Sequence, residues 1–270
     1  MNQISNILKN NYQKSVCSLI PFITAGYPNV NLTLDILIEL DRQGADAIEL
    51  GVPYSDALAD GPLIQEASKV SIENGTSLSS VFAILRKANG LINTPIIIFT
   101  YYNPILVKGI KSFISKISLL GAQGLIIPDL PLEESNYVNL LCKMNNVELI
   151  MFISPTSSDE RILDIVQKSE GCLYLVSSTG VTGIRDSVDD SITRISNDIL
   201  IHSNKMVMLG FGIAYPDHVK NIIRSNSRIN GFVVGSAFTR ILSTYLNKGN
   251  HDVVRDVGRF CAQMKSAMLT

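Results

Sequence analysis

The chain has 270 residues, 46% of them hydrophobic and 17% charged, with a formal net charge of -1. Its scattered Lys and Arg argue against a nucleic-acid partner, which needs a clustered basic surface, and no run approaches the roughly 20 apolar residues of a membrane helix. Residues 1–15 lack the apolar core of a secretion signal and, in full, the Arg-rich composition of a transit peptide. The four cysteines, Cys17, Cys142, Cys172 and Cys261, show no CxxC spacing. A reduced compartment is therefore expected, bacterial cytoplasm or plastid interior, with no metal site.

In chain order, residues 2–12 read as a helix, and eight short apolar runs follow at 17–24, 47–52, 95–101, 124–128, 148–154, 172–177, 206–210 and 231–235. They are near-continuous Ile, Val and Leu, the pattern of strands buried on both faces. Helical spacing fills the intervals. Tyr137, Leu140, Leu141 and Met144 form one apolar stripe, and Phe238, Ile241, Leu242 and Tyr245 form another. Ser157 followed by Glu160 predicts a capping box ahead of Ile162, Ile165 and Val166. Gly44 and Gly121 fall where a helix ends in a left-handed residue.

Strand–helix alternation of this kind gives a parallel sheet with right-handed crossovers. Eight units in this length predict an α/β chain forming one closed (β/α)8 barrel of the TIM type over residues 1–270, with an extra N-terminal helix across its bottom. An open nucleotide-binding sheet would want GxGxxG after the first strand, where Ala25-Gly26-Tyr27-Pro28 stands instead.

Barrel chemistry sits at the C-terminal ends of strands. There, Glu49 interrupts an apolar run. With Ile48 and Leu50 facing the helices, strand alternation aims Glu49 into the barrel. The alternative is a structural acid paired with an arginine or backbone donors. Asp60-Gly61-Pro62 holds a second carboxylate beside the same mouth, and two acids in unlike environments can divide protonation duties. Asp56, in the same loop, reads alone as a turn former. At the far side, Gly180-Val181-Thr182-Gly183, Gly210-Phe211-Gly212-Ile213 and Gly235-Ser236-Ala237 follow the last three strands, where backbone amides and a helix start cradle phosphate. His202, His218 and His251 lie away from strand ends, and Lys205 falls at a strand start, so neither metal nor Schiff-base chemistry is expected.

Pro21-Phe22-Ile23-Thr24-Ala25-Gly26, Glu49-Leu50-Gly51-Val52-Pro53-Tyr54-Ser55-Asp56, Ala59-Asp60-Gly61-Pro62, Thr179-Gly180-Val181-Thr182-Gly183 and Gly210-Phe211-Gly212-Ile213 resemble, in order and spacing, the signature blocks of the tryptophan synthase α-subunit family. The resemblance implies a lyase that cleaves indole-3-glycerol phosphate to indole and glyceraldehyde 3-phosphate by a retro-aldol route. It implies Glu49 and Asp60 as the catalytic pair, with Tyr174 near the glutamate. It also implies Phe22, Phe99 and Ile126 around the indole, Thr182, Gly183, Gly212, Gly235 and Ser236 toward the phosphate, and a lid over about 179–190. Asp56, Asn103, Pro104, Asp129, Glu133 and Glu134 match the surface that docks a β subunit in an αββα complex. That partner would carry pyridoxal phosphate, and this chain would need no cofactor. One departure stands out: Ala57 replaces a proline common in the family. Other phosphosugar barrels would need a strand-end lysine or metal-binding histidines, and a catalytically dead subunit would not need both acids.

Overall fold

A parallel strand leaves unpaired backbone groups along both edges until the sheet closes on itself. The apolar runs do close. The computed structural model describes residues 3–176, 190–210, 212–225, 228–248 and 252–269. After helix α1 (Gln3–Gln13) the chain forms β1 (Ser18–Thr24), α2 (Val30–Arg42), β2 (Ile48–Gly51), α3 (Pro62–Glu73), α4 (Leu78–Ala88) and β3 (Ile96–Phe99). Then come α5 (Tyr102–Lys108), α6 (Ile110–Leu119), β4 (Ala122–Ile126), α7 (Ser135–Met144), β5 (Glu148–Ile153), α8 (Asp159–Lys168) and β6 (Leu173–Val176). The last part holds α9 (Asp190–His202), β7 (Val207–Gly210), α10 (Pro216–Arg224), β8 (Gly231–Val234), α11 (Ser236–Lys248) and α12 (Val253–Ala267). Each strand pairs in parallel with the next, and β8 returns to β1 from Ser18↔Gly231 to Pro21↔Val234.

Period-2 alternation divides the buried residues into two sets. Leu19, Ile23, Ile48, Leu50 and Ile98 pack outward under the helices. Ile20, Phe22, Ala47, Ile97, Phe99 and Met208 fill the barrel interior. The extra helix caps the bottom as expected: Ile4 and Leu8 of α1 are fully buried within the interior set. Glu148, at the first position of β5 and 1% exposed, pins that helix. Its carboxylate accepts from the Ser5 amide at 3.1 Å, from the Ser5 hydroxyl, and from the Cys172 amide at 2.8 Å.

Three local expectations change. The stripe Tyr137, Leu140, Met144 on α7 points to solvent, at 55%, 55% and 70% exposure, while Val138, Leu141 and Cys142 meet the barrel. The N-cap of α8 is Ser158, which accepts from the Arg161 amide at 3.2 Å, not Ser157. Strand β4 starts at Ala122, earlier than the apolar run, pairing with Ile96, whose amide donates to the Gln123 side-chain oxygen at 2.8 Å. Gly44 and Gly121 do end helices α2 and α6, at φ 85° and 94°.

Candidate active site

Glu49 lies in the middle of β2, in register with Phe22 on β1 and Ile97 on β3, both of them interior residues. Its side chain therefore points inside. It is 0% exposed, and neither carboxylate oxygen has a hydrogen-bond partner among the described residues. An unpaired buried carboxylate costs several kcal/mol when ionised. Burial, and then the charge of Asp60, accordingly raise the Glu49 pKa well above the ordinary carboxyl value. The structural-acid alternative, with its arginine or backbone donors, is not what the described residues form.

Asp60 reaches the same space from the loop after β2. Its amide bonds the Ala57 carbonyl at 3.1 Å, and the chain then enters α3 through Gly61 and Pro62. Tight turn and helix start together fix the backbone beside the positive end of α3. Asp60 is 9% exposed and accepts from the Tyr101 hydroxyl at 3.1 Å. Burial pushes its carboxyl up to about 6, against the lowering effect of that hydrogen bond.

Around the acids runs a collar of rings. Phe22 and Phe99 meet edge to face at 5.4 Å and Phe99 and Phe152 at 6.5 Å, while Phe152 and Tyr174 pack tilted, their centroids 4.6 Å apart. Ile126, 0% exposed, sits beside Phe99 in the β3–β4 register. Tyr174 is 3% exposed. Burial, Glu49 and Asp60 all hold its phenol in the neutral form. Gly210 is required here for space: a Cβ on it would stand 2.0 Å from the Tyr174 hydroxyl oxygen. In the structure Gly210 ends β7 and seats a tyrosine.

Of the phosphate-side residues, Gly212 follows β7 at φ 77°, and Gly235 and Ser236 lead from β8 straight into α11. A Cβ on Gly235 would lie 3.4 Å from Phe22 Cδ1, so the start of α11 opens beside the aromatic collar. Thr182 and Gly183 lie outside the described residues, as do Phe211 and the expected lid up to residue 189.

Asp56, Asn103, Asp129, Glu133 and Glu134 are exposed and Pro104 is half-buried, all on the loops and helix starts that follow β2, β3 and β4. Several have partners within the chain. Asp129 accepts from the Tyr102 amide at 2.7 Å and caps α5, Glu133 bonds Arg161 at 2.6 Å, and Glu134 bonds the Tyr102 side chain. All four cysteines are free thiols. Burial pushes Cys17 up to about 11 and Cys142 and Cys261 up to about 12, the behaviour of small apolar residues and not of nucleophiles.

Sequence reasoning missed Tyr101, Tyr54 and Phe152. Tyr101 was discoverable, since it shares the parity of Phe99 just past the end of β3. Its bond to Asp60, across 41 residues of chain, carried no local signal.

The model of the family described as "Tryptophan synthase alpha chain" matches residues 8–269. A tryptophan synthase alpha chain of Antithamnion sp. is 51% identical over 269 residues, covering 100% of both chains. Among solved structures, the tryptophan synthase subunit alpha of Legionella pneumophila superposes with a TM-score of 0.88 at 30% identity, over 99% of this chain and 98% of that one. A tryptophan synthase complex from Pyrococcus furiosus gives 0.81 at 30% identity, over 93% and 98%. The chain belongs to the tryptophan synthase alpha chain family, the lyases that cleave indole-3-glycerol phosphate into indole and glyceraldehyde 3-phosphate.

Proposed function

We propose that Glu49 carries the proton in this cleavage and that Asp60 answers the charge that builds on the indole ring. The supporting observation is Glu49 itself, fully buried with both oxygens unpartnered among the described residues. With its pKa raised by burial and by Asp60, it can hold a proton and donate it to the ring carbon that bears the glycerol chain. The ring nitrogen then becomes cationic, and Asp60 accepts its N–H. Glu49, now a carboxylate, takes the proton of the adjacent chain hydroxyl. The carbon–carbon bond breaks, its electrons restore the indole, and the hydroxyl carbon leaves as the aldehyde. Glu49 ends protonated, ready for another turnover.

Tyr174 stands beside the acids as a neutral phenol, and Phe22, Phe99 and Ile126 hold the indole. Gly212, Gly235 and Ser236 receive the phosphate at the start of α11, where aligned amides favour an anion, together with Thr182 and Gly183. The rim residues Asp56, Asn103, Pro104, Asp129, Glu133 and Glu134 dock a tryptophan synthase beta subunit, which holds pyridoxal phosphate and receives the indole. This chain supplies its chemistry from side chains alone. Free thiols and close relatives in Antithamnion and Trichodesmium fit a cytoplasmic or plastid-stromal setting.

Release of indole from indole-3-glycerol phosphate, with beta subunit present, tests the reading. Glu49→Gln lowers the rate by about 10²–10⁴-fold, the range of a general acid–base group. A loss under tenfold in a folded variant would remove Glu49 from the role.

A further inference from the structure

We propose that Tyr101 is a positioning residue for Asp60, clamping the aspartate so that one carboxylate oxygen is fixed and the other stays free for the substrate N–H. The inference rests on the reading of Asp60 given above. The clamp has two points. The Tyr101 hydroxyl donates to Asp60 Oδ2 at 3.1 Å, and the Tyr101 hydroxyl oxygen in turn accepts from the Ala59 amide at 2.9 Å. Ala59 and Asp60 are neighbours, so one phenol fixes the backbone and the side chain of a single turn. Both the rotation of the carboxylate and the height of the loop are thereby set.

Tyr101 is itself immobilised. It is 3% exposed, and its ring packs against Tyr54 at 5.2 Å and Phe99 at 6.4 Å. Its backbone leads directly into α5, whose first amide is held by Asp129 at 2.7 Å. The clamp thus ties the loop after β2 to the framework after β3. Ala57 removes the stiffness a proline would give this loop, and the Tyr101 contact supplies a tertiary constraint in its place.

A phenol suits this duty better than a cation. A lysine or arginine would neutralise Asp60 before any charge arose on the substrate. A neutral donor steadies the ionised form while leaving its charge available. Among the described residues, the titratable groups that act on Asp60 or its clamp are Glu49 on β2, Tyr174 on β6, Tyr101 and Asp129. Burial raises the Asp60 carboxyl, and the neutral Tyr174 brings no charge to offset it. Tyr101 works against that rise.

The test is Tyr101→Phe, which keeps the ring and deletes the clamp, assayed for indole release in the complex with beta subunit across pH. Loss of a hydrogen bond to a charged group predicts that kcat falls about tenfold with little change in KM. The acid limb of kcat moves up by about one pH unit, because the ionised Asp60 has lost its donor. In an Asp60→Asn background the same substitution costs almost nothing. A titration of the Asp60 carboxyl carbon by NMR reads the same shift without turnover. An unmoved acid limb and carboxyl titration, with equal loss in both backgrounds, would overturn the clamp. Full activity in Asp60→Asn alone would instead overturn the reading of Asp60, while the NMR shift in Tyr101→Phe still reports on the clamp.

Discussion

Two glutamates are buried in this barrel, and they differ in what surrounds them. Glu148 at the bottom takes two amides and a hydroxyl, from α1 and from the residue before β6. Glu49, nearer the top, takes none among the described residues. The first arrangement offsets desolvation with hydrogen bonds and locks a helix in place. The second leaves the cost standing, and the cost appears as a carboxyl that holds its proton. A satisfied buried acid serves the fold, and an unsatisfied one is stored reactivity, carried at the expense of stability.

Exchanging the two acids for neutral residues sharpens this contrast most. Glu148→Ala strands the Ser5 and Cys172 amides and should lower unfolding stability by about 2–5 kcal/mol, with activity per folded molecule kept. Glu49→Gln should do the reverse, abolishing most activity while the melting temperature at neutral pH rises or holds. Denaturant titration beside the indole assay reads both. A Glu49→Gln protein that melts well below its parent would mean that the acid has a structural partner after all.

A smaller effect is expected at the seat of Tyr174. In Gly210→Ala the new Cβ would overlap the phenol, forcing the ring toward the acids at a cost of about 1–3 kcal/mol. The indole rate should fall with it, and Tyr174→Leu in the same chain, which removes the overlapping ring atoms, should recover part of the lost stability. No recovery would place the strain elsewhere.

The last is a pH dependence at Asp60. Its folded pKa, about 6, is above the ordinary value of 3.8, so the folded state binds the proton more tightly than the unfolded one. The stability from this group is complete below about pH 4 and is lost as pH rises toward 6. Asp60→Asn should therefore match its parent in acid and exceed it by about 3 kcal/mol above the upper limit of that window. A constant gap at all pH values would contradict the assigned burial effect.

What was legible follows from how far each signal reaches along the chain. The inward aim of Glu49 could be read because strand alternation is local, and Ile48 and Leu50 beside it fixed the parity. Gly44 and Gly121 were legible for the same reason. The stripe on α7 was misjudged because helical spacing reveals an apolar face without saying which face meets the sheet. Val138, Leu141 and Cys142 make an equally regular stripe, turned by one residue, and they are the buried set.

The amino-acid sequence by itself determined the eight apolar runs, their buried character, the closing of a (β/α)8 barrel and the identity of the interior acid. These depend on neighbours a few residues apart. The tertiary structure alone decided that Glu49 has no partner while Glu148, 143 residues from Ser5, has several. It also decided that Tyr101 holds Asp60 and that Gly210 makes room for Tyr174. Such pairings arise where strands distant in sequence come to line one interior, and their energies depend on distances that no local pattern encodes.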